Sequence, residues 1–241
     1  MMATWNTAAA TALAATLAAC SSTPPPPDWQ MNAKASLERA TAAYLAGNSR
    51  LEALEFNRAR TELARTGRAD LLARAELTRC AARVASLVFE DCPGYAALAQ
   101  DAPPAEQAYA AYLAGKATPQ DAALLPAAQR EALASDGSGK ALNALPDPVS
   151  RLVAAGVLLR SGRAQPGLFG VAVDTASAQG WSRPLLAWLN VQAQRADAAG
   201  ETNEAARLRR RIATITTDAK ADAKADVKAD VKSDVKAEVP K

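Results

Sequence analysis

Apolar residues recur three and four apart from Trp29 to Ile215, and strand formers nowhere gather into an alternating run. That periodicity predicts helix along almost the whole stretch. The punctuation is of the same kind. Asp28 is placed to cap a first helix that closes before Gly47. Ser49 and Glu52 have capping-box spacing for a second that ends near Gly67, and a third runs from about Ala69 into the Cys80 region. Thr118-Pro119-Gln120-Asp121 sets out a cap, a proline at the first helical position and an acid in the first turn. Asp147-Pro148 repeats that arrangement before a helix stopping at Gly162. Ser182 and Pro184 open another, closed by Gly200, and a last helix runs from about Thr202 to Ile215. Pro and Gly interrupt long helices at 93–104, 126–147 and 163–170. Roughly nine short helices with tight turns predict an all-α domain over residues 28–217, an irregular array of short antiparallel helical hairpins.

Composition sharpens this picture. The chain has 241 residues, enough to bury a real core, but aromatics are only 5% of it. Alanine makes up roughly a quarter, so helix axes approach closely and each helix buries little area, which requires many helices to share one core. The expected anchors are Trp29, Tyr44, Leu54, Phe56, Leu63, Leu72, Leu77, Val84, Leu87, Phe89, Tyr109, Leu158, Phe169, Leu186, Trp188 and Leu208.

The first nineteen residues stand apart. From Thr7 to Ala19 the uncharged run TAAATALAATLAA has the length of a signal-peptide apolar region. It is shorter than the roughly 18 apolar residues of a membrane-spanning helix. It ends in Leu17-Ala18-Ala19-Cys20, which resembles the lipobox of bacterial lipoproteins in all four residues. The resemblance implies a signal peptide over 1–19, cleavage between Ala19 and Cys20, and acylation of Cys20. Several acyl chains on one residue give stable anchoring. The segment departs from the family pattern in one respect: no Lys or Arg occurs before Lys34. Ser21-Ser22-Thr23 and Pro24 to Pro27 follow as a polar, proline-stiffened stalk, so residues 20–27 read as the acylated cysteine and its spacer. In that family an aspartate after the cysteine tends to retain the protein at the inner membrane. Ser21 therefore implies the periplasmic face of the outer membrane.

With Cys20 consumed by lipid, Cys80 and Cys92 remain as an even pair in an oxidising space. In one unbroken helix their twelve-residue separation would be about 18 Å, against the roughly 7 Å between Cα atoms that a disulfide allows. A Cys80–Cys92 bond therefore predicts that the helix ends by about residue 88 and that the chain turns back near Pro93-Gly94. The alternative is two reduced cysteines acting as small buried hydrophobes.

One internal repeat stands out. Ala42-Ala43-Tyr44-Leu45-Ala46-Gly47 recurs 68 residues later as Ala110-Ala111-Tyr112-Leu113-Ala114-Gly115. That offset is twice the tetratricopeptide period of about 34 residues. The segment from Trp181 to Ile215 also resembles one tetratricopeptide unit, with an early aromatic, Ala-Gly200 at the turn, then Glu204-Ala205. Glycines 47, 115, 162 and 200 are unevenly spaced, so the expectation is tetratricopeptide-like hairpins without a regular array. From Asp218 to Lys241 the chain becomes a low-complexity Asp/Lys/Ala/Val tail with six acids and six lysines. Like charges fall at i,i+4, which predicts a disordered ampholytic tail and no polybasic nucleic-acid arm.

Candidate chemistry is sparse. The chain has no histidine, which excludes a Ser-His-Asp triad, a Cys-His dyad and His-ligated zinc. Ser138-Gly139-Lys140 fails as a phosphate loop, because Ala134 and Ala141 occupy the positions of the first glycine and the magnesium-holding hydroxyl. Ser233 and Lys236 match the Ser-x-x-Lys spacing only within the repetitive tail. Glu52, Glu55, Glu62 and Glu76 recur amid arginines and read as surface ion pairing. Arg207, Arg209, Arg210 and Arg211 form a basic cluster on the last helix, either a solvated face or a docking patch for an acidic partner. No catalytic residue, cofactor or metal is expected. The resulting expectation is a non-catalytic outer-membrane lipoprotein that presents a helical protein-interaction domain to the periplasm. Its partner would be an envelope protein of an assembly, secretion or cell-wall complex. The alternatives are a peptidoglycan-associated tether and a cell-wall glycan-cleaving enzyme.

Overall fold

A computed structural model describes residues 25–217. Ala19, Cys20, most of the stalk and the Asp218–Lys241 tail lie outside the described residues. Helix α1 (Asp28–Leu45) folds back on α2 (Ser49–Ala64), and α2 on α3 (Ala69–Ala85), so α1 and α3 run parallel. Short helices α4 (Pro93–Ala96) and α5 (Pro104–Leu113), a 3-10 turn (Asp121–Leu124), α6 (Ala127–Ala134) and α7 (Gly139–Asn143) follow. Then come α8 (Pro148–Arg160), α9 (Pro166–Ala178), α10 (Ser182–Ala198) and α11, residues 202–217. No strand occurs among the described residues. The fold is all-α and built of helical hairpins.

The six-residue repeat encodes one helix ending used twice. In both copies the Tyr-Leu pair is buried, Tyr44-Leu45 at the end of α1 and Tyr112-Leu113 at the end of α5. Gly47 and Gly115 then take φ +92° and +71°, which side chains with a Cβ rarely adopt. The next residue's N–H turns back onto the helix, Asn48 to the Ala43 carbonyl at 2.9 Å and Lys116 to the Ala111 carbonyl at 2.9 Å.

Helix α8 is the centre of the core. Every residue from Leu152 to Leu158 is buried, and α8 packs against α3, α5, α6, α7 and α9. Trp188 of α10 is wholly buried and donates from Nε1 to the Ala85 carbonyl at 3.1 Å, at the last residue of α3. The ring of Phe169 meets it edge-on at 6.2 Å. A smaller cluster of Phe56, Leu63, Ala33, Ala40 and Ala75 welds α1, α2 and α3. The start of α10 closes the array on the end of α1. Arg183 donates from Nε to the Tyr44 carbonyl at 2.6 Å and lies 4.4 Å over the Tyr44 ring, while Ser182 donates to the Ala46 carbonyl at 2.9 Å.

Several local expectations need correction. Asn48, not Ser49, caps α2, its side chain accepting from Leu51 N–H at 2.9 Å. Asp28 is the first residue of α1, with Pro27 at the capping position. Thr118–Asp121 opens only the 3-10 turn, because the Asp121 carboxylate accepts from both the N–H and the hydroxyl of Thr118, at 2.7 and 2.8 Å, and holds that loop to itself. Asp147 does cap α8, accepting from Ser150 N–H at 2.8 Å. Leu54 and Phe89 are not core but 48% and 40% exposed. Leu54 sits on the outer face of α2, and Phe89 follows α3 in a loop where the Arg160 guanidinium covers its ring at 5.5 Å.

Cys80 and Cys92 form a disulfide with Cα atoms 5.6 Å apart. The geometry required by the twelve-residue spacing is met because α3 stops at Ala85 and Leu87 takes φ +59°, turning the chain back. Closing this loop is expected to contribute about 2–3 kcal/mol. Replacing both cysteines by serine should therefore lower the melting temperature by about 5–10 °C. An unchanged melting curve, or two thiols alkylated in unreduced denatured protein, would count against it.

Candidate binding groove

An open groove of about 690 Å³ runs between α1 and α3. Ala33, Leu37, Thr41 and Leu45 line it from α1, spaced to share one helix face, and Leu71, Ala75 and Thr78 from α3. Leu63 at the end of α2, Val149 at the start of α8, and two tryptophans complete it. Trp29 stands at the start of α1 and Trp181 immediately before α10. Small side chains on both helices open the groove. An alanine or threonine facing its parallel neighbour leaves the space that a leucine would fill.

Charged residues at the groove are engaged. Lys34 meets Glu38 at 3.9 Å, Arg68 chelates Asp70 at 3.2 and 2.6 Å, and Arg74 grips Glu106 at 2.9 and 2.5 Å. The last of these is one of four buried clamps, three of them on acids, Glu52, Glu55 and Glu76, that the sequence reading expects at the surface. Glu52, Glu55, Glu76 and Glu106 are buried, and each is clamped by arginine from a neighbouring helix. Arg39 of α1 donates to Glu55 of α2 at 2.9 Å, and Arg60 of α2 pairs with Glu76 of α3. Arg79 of α3 donates to Glu52 of α2 at 2.7 Å and stacks 4.4 Å over Phe56. Arg83 approaches the same carboxylate at 3.8 Å and lies 5.1 Å from the Tyr44 ring. These are inter-helix clamps, the arginine stems covering apolar surface and the guanidinium heads reaching outward. Glu62 is the exception that behaves as expected, pairing with Arg65 one turn along at 3.1 Å.

The Arg39 hydrogen bond, helped by the charges of Arg39 and Arg58, holds the Glu55 carboxyl below the usual range against the opposing effect of burial. Asp70 is lowered chiefly by the Arg68 hydrogen bond, and Glu204 by that of Arg207. Thr118 backbone N–H lowers Asp121, and the Ser138 hydroxyl lowers Asp136. A carboxyl depressed in the folded chain contributes stability that is present above its unfolded pKa and is lost as pH falls through the folded value. With no histidine to titrate near neutrality, stability should be flat from about pH 6 to 8 and fall below about pH 5. Melting temperature against pH checks this, and Glu55→Gln should flatten the acid limb. A loss of stability between pH 6 and 8 would contradict it.

Arg207, Arg209, Arg210 and Arg211 all lie on α11, and none lines the groove. Arg207 chelates Glu204 at 2.7 and 2.5 Å, Arg209 pairs with Asp197, and Arg211 donates to Ser177 at 3.0 Å. Arg209 and Arg211 thus tie α11 to α10 and α9, while Arg207 is paired within α11. A second, smaller cavity of about 80 Å³ between α5, α6 and α8 is lined by Tyr112, whose buried hydroxyl has no hydrogen-bond partner. Among the described residues no cluster of three metal-ligating side chains occurs, and no helix is long and apolar enough to cross a membrane.

The sequence reading expects a shallow groove on the helical domain but does not place it: Trp29 is expected in the core, and Trp181 only marks the resemblance to a tetratricopeptide unit. The available signal was the run of small residues at Ala33, Thr41, Ala75 and Thr78, which periodicity alone assigns to close packing. Comparison with known proteins returned no similar sequence or fold: no protein-family model, curated protein or solved structure matches this chain.

Proposed function

We propose that the chain is a non-catalytic binding module, anchored through acylated Cys20 to the periplasmic face of the outer membrane. There its helical domain serves an envelope-assembly, secretion or cell-wall complex. The observation that carries this reading is the α1/α3 groove of about 690 Å³, open, apolar and bracketed by Trp29 and Trp181. Its concave, mostly apolar shape and its size are those of a ligand site. The lipobox resemblance, the proline stalk and the helical-hairpin architecture support the same reading.

Two experiments test it. Cys20→Ser should release the protein into the soluble fraction or stall its processing, and unchanged membrane attachment with acyl labelling would overturn the anchor. Purified protein incubated with peptidoglycan should neither sediment with it nor release soluble fragments. Release would identify an enzyme, and sedimentation without release a tether.

A further inference from the structure

The groove is not the same at its two ends. Near Trp29 stand Lys34 and Arg68, while the far end is closed by Leu45 and Trp181. From Trp29 to Leu45, α1 runs about 24 Å. Between the ends, few polar side chains face the groove, the hydroxyls of Thr41 and Thr78 among them. The Thr78 hydroxyl donates to the Arg74 carbonyl at 2.9 Å, and Arg74 itself is held by Glu106. An extended peptide buried here would leave its backbone N–H and C=O groups short of partners. A hydrocarbon chain has no such groups.

We propose that the groove binds a single acyl chain bearing an anionic head group, taken from the membrane. The head sits at Lys34 and Arg68, and the chain runs toward Leu45 and Trp181. The dimensions agree. One leaflet's acyl chain spans about 15 Å, half of a hydrocarbon core of about 30 Å. The volume of about 690 Å³ falls among small-molecule sites, which are about 300–1,000 Å³. Lys34 is available to a ligand, and Arg68, although chelated by Asp70 through Nε and Nη2, is 58% exposed in its side chain and keeps Nη1 for a further acceptor. Lys34 and Glu38 are 76% and 66% exposed in their side chains and 3.9 Å apart, a pair that holds little, so an anion can share its lysine. Placement adds access. Nine residues separate Cys20 from Trp29, at most about 30 Å of chain, so the charged end of the groove is the one nearest the anchor. Access rests on the tethered reading above, whereas binding is a property of the groove itself.

The test uses the full chain with Cys20→Ser, purified without lipid, and palmitate below its aggregation concentration. Calorimetry should give one palmitate per chain. Affinity should tighten about three- to fourfold per methylene from decanoate upward. Lys34→Gln with Arg68→Gln should weaken palmitate about tenfold and leave uncharged 1-hexadecanol unchanged. Leu37→Glu should abolish both, with Leu71→Glu as the second groove variant should the first fail to melt cooperatively. A cooperatively folded chain that binds no palmitate overturns the proposal. So does palmitate binding that neither groove substitution weakens. Neither result bears on the anchor, which the membrane fractionation of Cys20→Ser decides separately.

Discussion

Replacing Trp188 with alanine is expected to cost about 3–5 kcal/mol, the range for deleting a large aromatic from a packed interior. Trp188 is wholly buried, so the deletion leaves a cavity between α9 and α10, whose interface it helps to fill. It also removes a specific hydrogen bond. Ala85 is the last residue of α3, where a carbonyl has no partner further along its own helix. Trp188 Nε1 satisfies that carbonyl at 3.1 Å from a position 103 residues later in the chain. Trp188→Phe should therefore fall between wild type and alanine, keeping most of the packing and losing the donor. Urea midpoints measure the series. Equal stability for phenylalanine and wild type would show that the hydrogen bond is worth nothing.

Gly156→Ala is expected to destabilise, although alanine is normally the better helix residue by about 1 kcal/mol. Gly156 lies mid-way along α8, where that helix crosses α3. A Cβ there would stand 2.3 Å from the Val84 carbonyl oxygen and 3.0 Å from a Val84 methyl. A backbone oxygen cannot swing aside as a side-chain tip can, so the two helices must separate. Overpacking of this kind costs about 1–3 kcal/mol, and Gly156→Val should cost more. Gly170, inside α9, is the control. Nothing lies within 4 Å of the Cβ it would carry, so Gly170→Ala should stabilise by about 0.5–1 kcal/mol. Opposite signs at the two sites are the expected result. Stabilisation at both would mean that α3 and α8 are not in close contact.

Gly156 and Trp188 also show where sequence reasoning stops. The helix endings at Gly47, Gly115 and Gly200 were legible because a left-handed closing residue is a local requirement. So was the Asp147 cap, whose proline and acid lie in adjacent positions. The turn after α3 was legible because a disulfide cannot span twelve helical residues. Properties set between helices were not. Glu52, Glu55 and Glu76 look like surface acids because arginines sit nearby in sequence, and Arg58 does pair locally with Glu55, yet the partners that clamp helix to helix lie 16 or 27 residues away on a neighbouring helix. Choosing Asn48 over Ser49 as the cap shifts a helix by one residue, which periodicity does not resolve. The groove follows from small residues on two helices whose separation depends on the rest of the array. Leu37 and Leu71 carry ordinary core periodicity and still line an open surface.

The central claim is that the tethered domain works through the α1/α3 groove. Its most direct test is the phenotype of a strain whose only copy carries Leu37→Glu and Leu71→Glu. Both side chains are half-buried groove walls, so the charges block the groove without entering the α8 core. The expected result is loss of function in a protein that remains membrane-bound and melts within a few degrees of wild type. Full function with the groove charged in this way would contradict the account.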